Sequence, residues 1–118
     1  IATHQVKPWY AGFAEIDAWH IHHATRAALH PPGALLVMGD FNTPVWGSRL
    51  RFLRRETGLR GASTGAPATW PARAGRFGVA IDHMLASPTV QITGLRRWGE
   101  DLGSNHAGLR ASVLWPVQ

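Results

Sequence analysis

The sequence has 118 residues, 45% of them hydrophobic, which suits one globular unit with enough apolar material for a real core. Twelve Lys and Arg against seven Asp and Glu leave a net charge of +5, a balance that favours anionic partners over cationic ones. There is no cysteine, which excludes disulfide frameworks, cysteine zinc sites and thiol nucleophiles.

Ile1–His4 reads as the end of a strand running into a loop, KPW. The segment IATHQVKP lacks the basic start and apolar centre of a signal peptide, and no run is long and apolar enough to span a bilayer. The first residue is not Met, so the chain is expected to be a piece of a longer one. From Gly12 to Leu29, Phe13, Ile16, Trp19, His23 and Ala27 recur at helical steps and define one inward face. HPPG stops that helix, because proline cannot continue it. Ala34–Met38 is a continuous apolar run and predicts a strand buried on both faces. A second helix is expected over Ser48–Thr57, with Leu50 and Leu53 inward and Gly58 as its stop. Gly61–Gly78 reads as a loop, with Thr69–Trp70 a short extended piece. Val79–Ala86 predicts a strand broken by Pro88. Val90–Leu95 predicts a strand with one wet face, and Arg110–Leu114 the last strand. The order β-α-β-α-β-β-β points to an α/β sheet core.

Metal-competent and proton-carrying residues fall at strand ends in four places: His4, Asp40 with Asn42, Asp82, and Asn105 with His106. Loops at strand ends expose such groups while the sheet fixes them. Residues two apart on a strand point the same way, so Asp40 and Asn42 can share a target. Hard divalent cations prefer oxygen ligands and engage substrate phosphate. An imidazole held by a carboxylate is a good base for activating water. Together these are the parts needed to hydrolyse a phosphoester.

The motifs GDFN (39–42), IDHMLAS (81–87) and SNH (104–106), with THQVKPW (3–9) before them, resemble the endonuclease/exonuclease/phosphatase superfamily. The wording of RRETGLRGA, ATWPA and GVAIDHMLASP is most similar to its YafD-like bacterial branch. The resemblance covers nearly the whole chain, with the motifs in order. It implies an α/β fold that is half of a four-layer α/β/β/α sandwich, a mixed sheet flanked by helices. It implies a metal-dependent phosphoric ester hydrolase using one Mg²⁺ or Mn²⁺. His4 would act at the scissile phosphate as acid or phosphate ligand, and Asn42 would bind the phosphate. Asp40 would orient the attacking water or hold it near the metal. Asp82 would orient His106, and His106 would be the base or a phosphate-binding imidazole.

The sequence departs from that pattern at position 105. The family usually has an Asp there that binds metal, whereas Asn105 offers a carbonyl oxygen without charge. After the histidine, Ala107, Gly108 and Leu109 replace the usual Arg-Pro-hydrophobe. The family domain is also about twice as long, and its first half, with the principal glutamate ligand, is missing. Residues 1–118 are thus expected to be the carboxy-terminal half, inactive alone, with an apolar sheet face covered by the absent half or a second copy. The substrate would be a phosphate ester of nucleic acid, phospholipid or sugar. A membrane anchor, where relatives of this branch have one, would lie outside the sequence.

Two alternatives are weighed beside the hydrolase. Asn105 favours a binding or scaffold module that keeps the fold and has lost the metal. Arg49, Arg51, Arg54 and Arg55 could form a nucleic-acid-binding helix; like Arg96, Arg97 and Arg110, they could equally be a solvated face. His83 neighbours Asp82 and should point to the opposite sheet face, so it reads as structural. His20 and His23, one helical turn apart in WHIHH, form a tempting metal pair, but no carboxylate follows at a suitable spacing. Trp9, Trp46 and Trp70 lie in loops and read more as packing than as stacking platforms.

Overall fold

Val37 and Leu85 point to one side of a sheet and Leu36 and Met84 to the other, and both sides are packed. The computed structural model describes residues 1–4, 13–28 and 33–117. In chain order the elements are β1 (Ala2–His4), α1 (Phe13–Ala28), β2 (Leu36–Asp40), α2 (Ser48–Thr57), a 3₁₀ turn over Ala72–Phe77, β3 (Asp82–Ala86), β4 (Gln91–Trp98) and β5 (Gly108–Leu114). Strands β1 and β2 pair in parallel and β2 and β3 antiparallel, giving a mixed sheet ordered β1-β2-β3. A hairpin of β4 and β5 forms a second sheet.

The helices cover one face of the mixed sheet. Ile21 of α1 and Leu50 and Leu53 of α2 pack with Leu35, Val37, Phe41, Leu59 and Leu85. Each such side chain contributes about 1.5–3 kcal/mol by leaving water, and Leu53→Ala would cost about 2–5 kcal/mol in transfer and cavity terms. The hairpin covers the other face: Ile92 and Val90 join Ala86, with Leu36, Met84, Leu95, Ala111 and Val113 around them. The layers therefore run helix, sheet, sheet. This α/β arrangement, a mixed sheet with flanking helices, is the expected fold class.

Helix α2 ends at Gly58, whose φ of 72° is left-handed and whose N–H donates to the Arg54 carbonyl at 2.8 Å. Arg54 and Arg55 lie in its last turn, where the helix dipole favours cations.

Several local expectations are corrected. Strand β2 is packed on both sides at Leu36 and Val37 but is not buried along its whole length, since Met38 is 40% exposed. Among the described side chains of α1 the buried positions are Ile21 and Thr25, whereas Trp19, His23 and Ala27 are exposed. Counting bulky side chains chose the wrong face there, because Trp and His have polar ends and tolerate water. Phe13 and Ile16 lie outside the described side chains, and Trp9 and residues 30–32 of the HPPG stop lie outside the described residues. Strand β3 starts at Asp82, because Val79 instead bridges Trp70 across the preceding loop. Strand β4 runs on to Trp98, and its alternating burial gives the single wet face expected of it.

Candidate active site

Gly39 explains the first letter of GDFN. Its φ is 145°, and a Cβ on it would overlap the Thr3 carbonyl oxygen. Only glycine lets β1 approach β2 so closely. That approach sets the parallel register in which His4 faces Asp40. Their side chains meet at 3.4 Å, Nε2 to Oδ2, with the His4 side chain 79% exposed and that of Asp40 only 15%.

Beyond Asp40 the strand turns. The Asn42 N–H donates to Asp40 Oδ1 at 2.8 Å, and Asn42 adopts φ 47°. This is an Asx turn, and Asn42 is among the residues that tolerate a left-handed backbone. With Oδ1 engaged, Oδ2 is the Asp40 oxygen that faces the histidines.

Antiparallel pairing sets Asp82 opposite Asp40. The Asp82 side chain reaches His106, and His106 Nδ1 lies 2.8 Å from Asp82 Oδ2. A carboxylate can only accept, so Nδ1 carries the proton and donates. In the neutral ring Nε2 is then a bare acceptor, and it lies 3.8 Å from Asp40 Oδ2. The His106 imidazole thus stands between two carboxylates, tied to one and facing the other.

His83, one residue on, turns the other way. It is 3% exposed, and its Nε2 donates to the Thr43 carbonyl at 2.7 Å. Burial lowers its pKa from the ordinary value; the bond to Thr43 pulls the other way and is outweighed. His83 is a neutral core residue. Its structural reading holds.

His4, Asp40, Asn42, Asn105 and His106 line a cleft of about 640 Å³ together with Trp70, Val79 and Ile81. Among the described residues, Asp40, Asp82 and His106 form the group whose ligand atoms all lie within 4.8 Å of one another. Two carboxylates and an imidazole are a donor set that suits a divalent cation. Among the described residues, His20 and His23 belong to no such group. The sequence reading missed Val79 and Ile81 as cleft walls and took Trp70 for packing. Trp70 is 41% exposed and forms part of the cleft wall. The two-residue alternation of Val79 and Ile81 was the available signal.

Residues 2–106 match the Endonuclease/Exonuclease/phosphatase family. The chain belongs to that family. No curated protein matches it significantly. Among solved structures it is similar to a conserved protein of unknown function from Enterococcus faecalis (TM-score 0.74, 15% identity, 98% of this chain and 49% of that one). It is similar to a mannosyl-6-phosphatase from Bacteroides thetaiotaomicron (TM-score 0.70, 12% identity, 97% and 50%). It is also similar to an endonuclease/exonuclease/phosphatase protein from Bacteroides vulgatus (TM-score 0.63, 16% identity, 85% and 46%). The chain spans about half the length of each of these structures. The endonuclease/exonuclease/phosphatase fold is of the phosphoesterase type. Among the described residues no helix is long and apolar enough to cross a membrane.

Proposed function

We propose that these residues are the carboxy-terminal half of a divalent-metal-dependent phosphoesterase, which hydrolyses a phosphate ester with an activated water. The observation that carries this reading is the His106 imidazole, bonded to Asp82 at 2.8 Å and presenting Nε2 to a cleft shared with Asp40. Asp82 holds the tautomer in which Nε2 can take a proton from water, and stabilises the imidazolium that results. Asp40 Oδ2 accepts a hydrogen bond from that water and orients it. The Asn42 amide would bind a phosphate oxygen, and His4 Nε2 would either bind one too or return a proton to the leaving group. With Asp82 and His106 committed to proton transfer, Asp40 of that donor group and the Asn105 amide oxygen from the same cleft would hold Mg²⁺ or Mn²⁺, which when bound would neutralise charge on the phosphate.

Incompleteness belongs to the same proposal. The length relative to the similar structures supports it, as do the exposed Ile1, Met38, Leu114 and Trp115 along the two sheets. An absent amino-terminal half, or a second copy, would cover those side chains. Membership of the YafD-like branch rests on the wording of the motifs. The substrate is proposed only as a phosphate ester, the class to which the similar mannosyl-6-phosphatase is assigned by its name.

The test is hydrolysis of an aryl phosphodiester and an aryl phosphomonoester by the full-length protein with Mg²⁺, with Mn²⁺ and with chelator. Turnover should require metal and fall at least about 10³-fold in Asp40→Ala, which removes both water orientation and a metal ligand. Metal-independent turnover would sink the reading. The exposed, uncharged Asn105 favours the second reading, a binding module without catalysis. That reading gains if turnover appears only in Asn105→Asp.

A further inference from the structure

Thr69 lies in the segment ATWPA and is fully buried. Its hydroxyl oxygen accepts the backbone N–H groups of Ile81 and Asp82, each at 3.2 Å, and its hydrogen points to the Val79 carbonyl at 3.5 Å. Its own backbone carbonyl accepts the N–H of Ala107 at 2.8 Å. These contacts reach both supports of the imidazole–carboxylate pair. Asp82 carries the carboxylate, and Ala107 follows His106 directly.

The bonds close a ring. It runs from the Thr69 hydroxyl to the Asp82 N–H, and from the Asp82 carboxylate to His106 Nδ1 at 2.8 Å. One peptide bond then leads to Ala107, whose N–H returns to the Thr69 carbonyl. The same segment is held at its far end, where the Ala72 N–H donates to the Asn105 carbonyl at 2.8 Å. Each bond alone is modest. Closure matters more, because neither support can drift without breaking a bond to one buried residue. The hydroxyl is also needed for satisfaction: a methyl in its place would leave the N–H groups of Ile81 and Asp82 without this acceptor.

We infer that Thr69 is the positioning residue of the Asp82–His106 pair, fixing the distance and orientation of acid and imidazole without touching substrate. The catalytic consequence rests on the function proposed above; the geometric one does not.

The test compares Thr69→Val, which keeps the shape and deletes the hydroxyl, with Thr69→Ser, which keeps the hydroxyl. Both are made in the full-length protein. Steady-state hydrolysis of an aryl phosphodiester is measured beside the NMR resonance of the His106 Nδ1 proton and the ring ¹⁵N shifts. Thr69→Val should lower kcat by about 10–100-fold with KM within about twofold, the pattern of a misplaced catalytic group. It should also shift or abolish the Nδ1 proton resonance, and Thr69→Ser should restore both. Unchanged kcat and an unchanged Nδ1 resonance in Thr69→Val would overturn the inference. So would a serine variant as impaired as the valine one. If the wild type hydrolyses nothing, the proposed function fails, yet the Nδ1 resonance still decides the role of Thr69. If Thr69→Val does not fold, Thr69→Cys, a smaller change with only a weak acceptor, is judged by the same readouts.

Discussion

Helix α1 carries His20, His22 and His23, and the cleft carries His4 and His106, so by histidine density the helix is the richer region. The difference lies in what the rings touch. On α1 they meet other rings: Trp19 and His23 have centroids 4.0 Å apart, and His22 and Phe52 lie 5.4 Å apart. In the cleft they meet carboxylates, at 2.8 Å for His106 with Asp82 and 3.4 Å for His4 with Asp40. A ring neighbour supplies contact area but says nothing about where the proton sits. A carboxylate fixes the tautomer and stabilises the cation. The partner, not the number of imidazoles, marks a site.

The contrast can be broken most forcefully at His106. His106→Ala should reduce turnover by about 10²–10⁴-fold, the usual contribution of a positioned acid or base. Asp82→Asn should lose nearly as much while the fold persists, since an amide can donate to Nδ1 and favour the wrong tautomer. Steady-state kinetics with circular dichroism checks both. Next in size is Asn105→Asp. An added charge among oxygen ligands should lower the metal concentration for half-maximal activity by about tenfold, read from a Mg²⁺ titration.

His83→Leu should affect stability rather than chemistry, costing about 1–3 kcal/mol because the Thr43 carbonyl loses its donor. Urea denaturation reads that cost. The pH dependence has a definite sign. Burial holds the folded pKa of His83 below its unfolded value of about 6.5, so below that pH the unfolded chain binds the extra proton. The stability contribution is full above about pH 6.5 and is lost as the pH falls toward and through the folded pKa. Wild type should therefore soften in acid more steeply than His83→Leu. The smallest effect is expected on the helix: His20→Ala and His23→Ala should change activity by less than about twofold and stability by about 0.5 kcal/mol or less. A large loss of metal-dependent activity there would overturn the comparison.

How much of this was legible in the sequence follows the range of each cause. Asp40 and Asn42 could be read because their reasons are local, a side chain reaching two residues along and a known motif, whereas the need for glycine at position 39 comes from the Thr3 carbonyl on another strand. The opposed directions of Asp82 and His83 followed from strand alternation alone. Thr69 could not be read, because the N–H groups its hydroxyl accepts lie 12 and 13 residues away and across a loop. The inward face of α1 was misjudged because Trp19 and His23 score as bulky while their polar atoms accept exposure. The exposure of Met38 was not legible either: a run of apolar residues shows that a strand is apolar, not which of its faces is covered.

The adjacency of Asp82 and His83 also bears on fidelity of assembly. If β3 slipped by one residue against β2, every side chain on it would change faces. A carboxylate would then enter the packed space beside Phe41 and the Thr43 carbonyl, facing an oxygen that can only accept. Burying such an uncompensated charge costs several kcal/mol, a large share of what a domain of this size has in reserve. A chain with a misaligned cleft would therefore also be a chain with a ruptured interior. Errors in the alignment of the proposed site would thus become errors of folding, open to proteolysis whatever the activity.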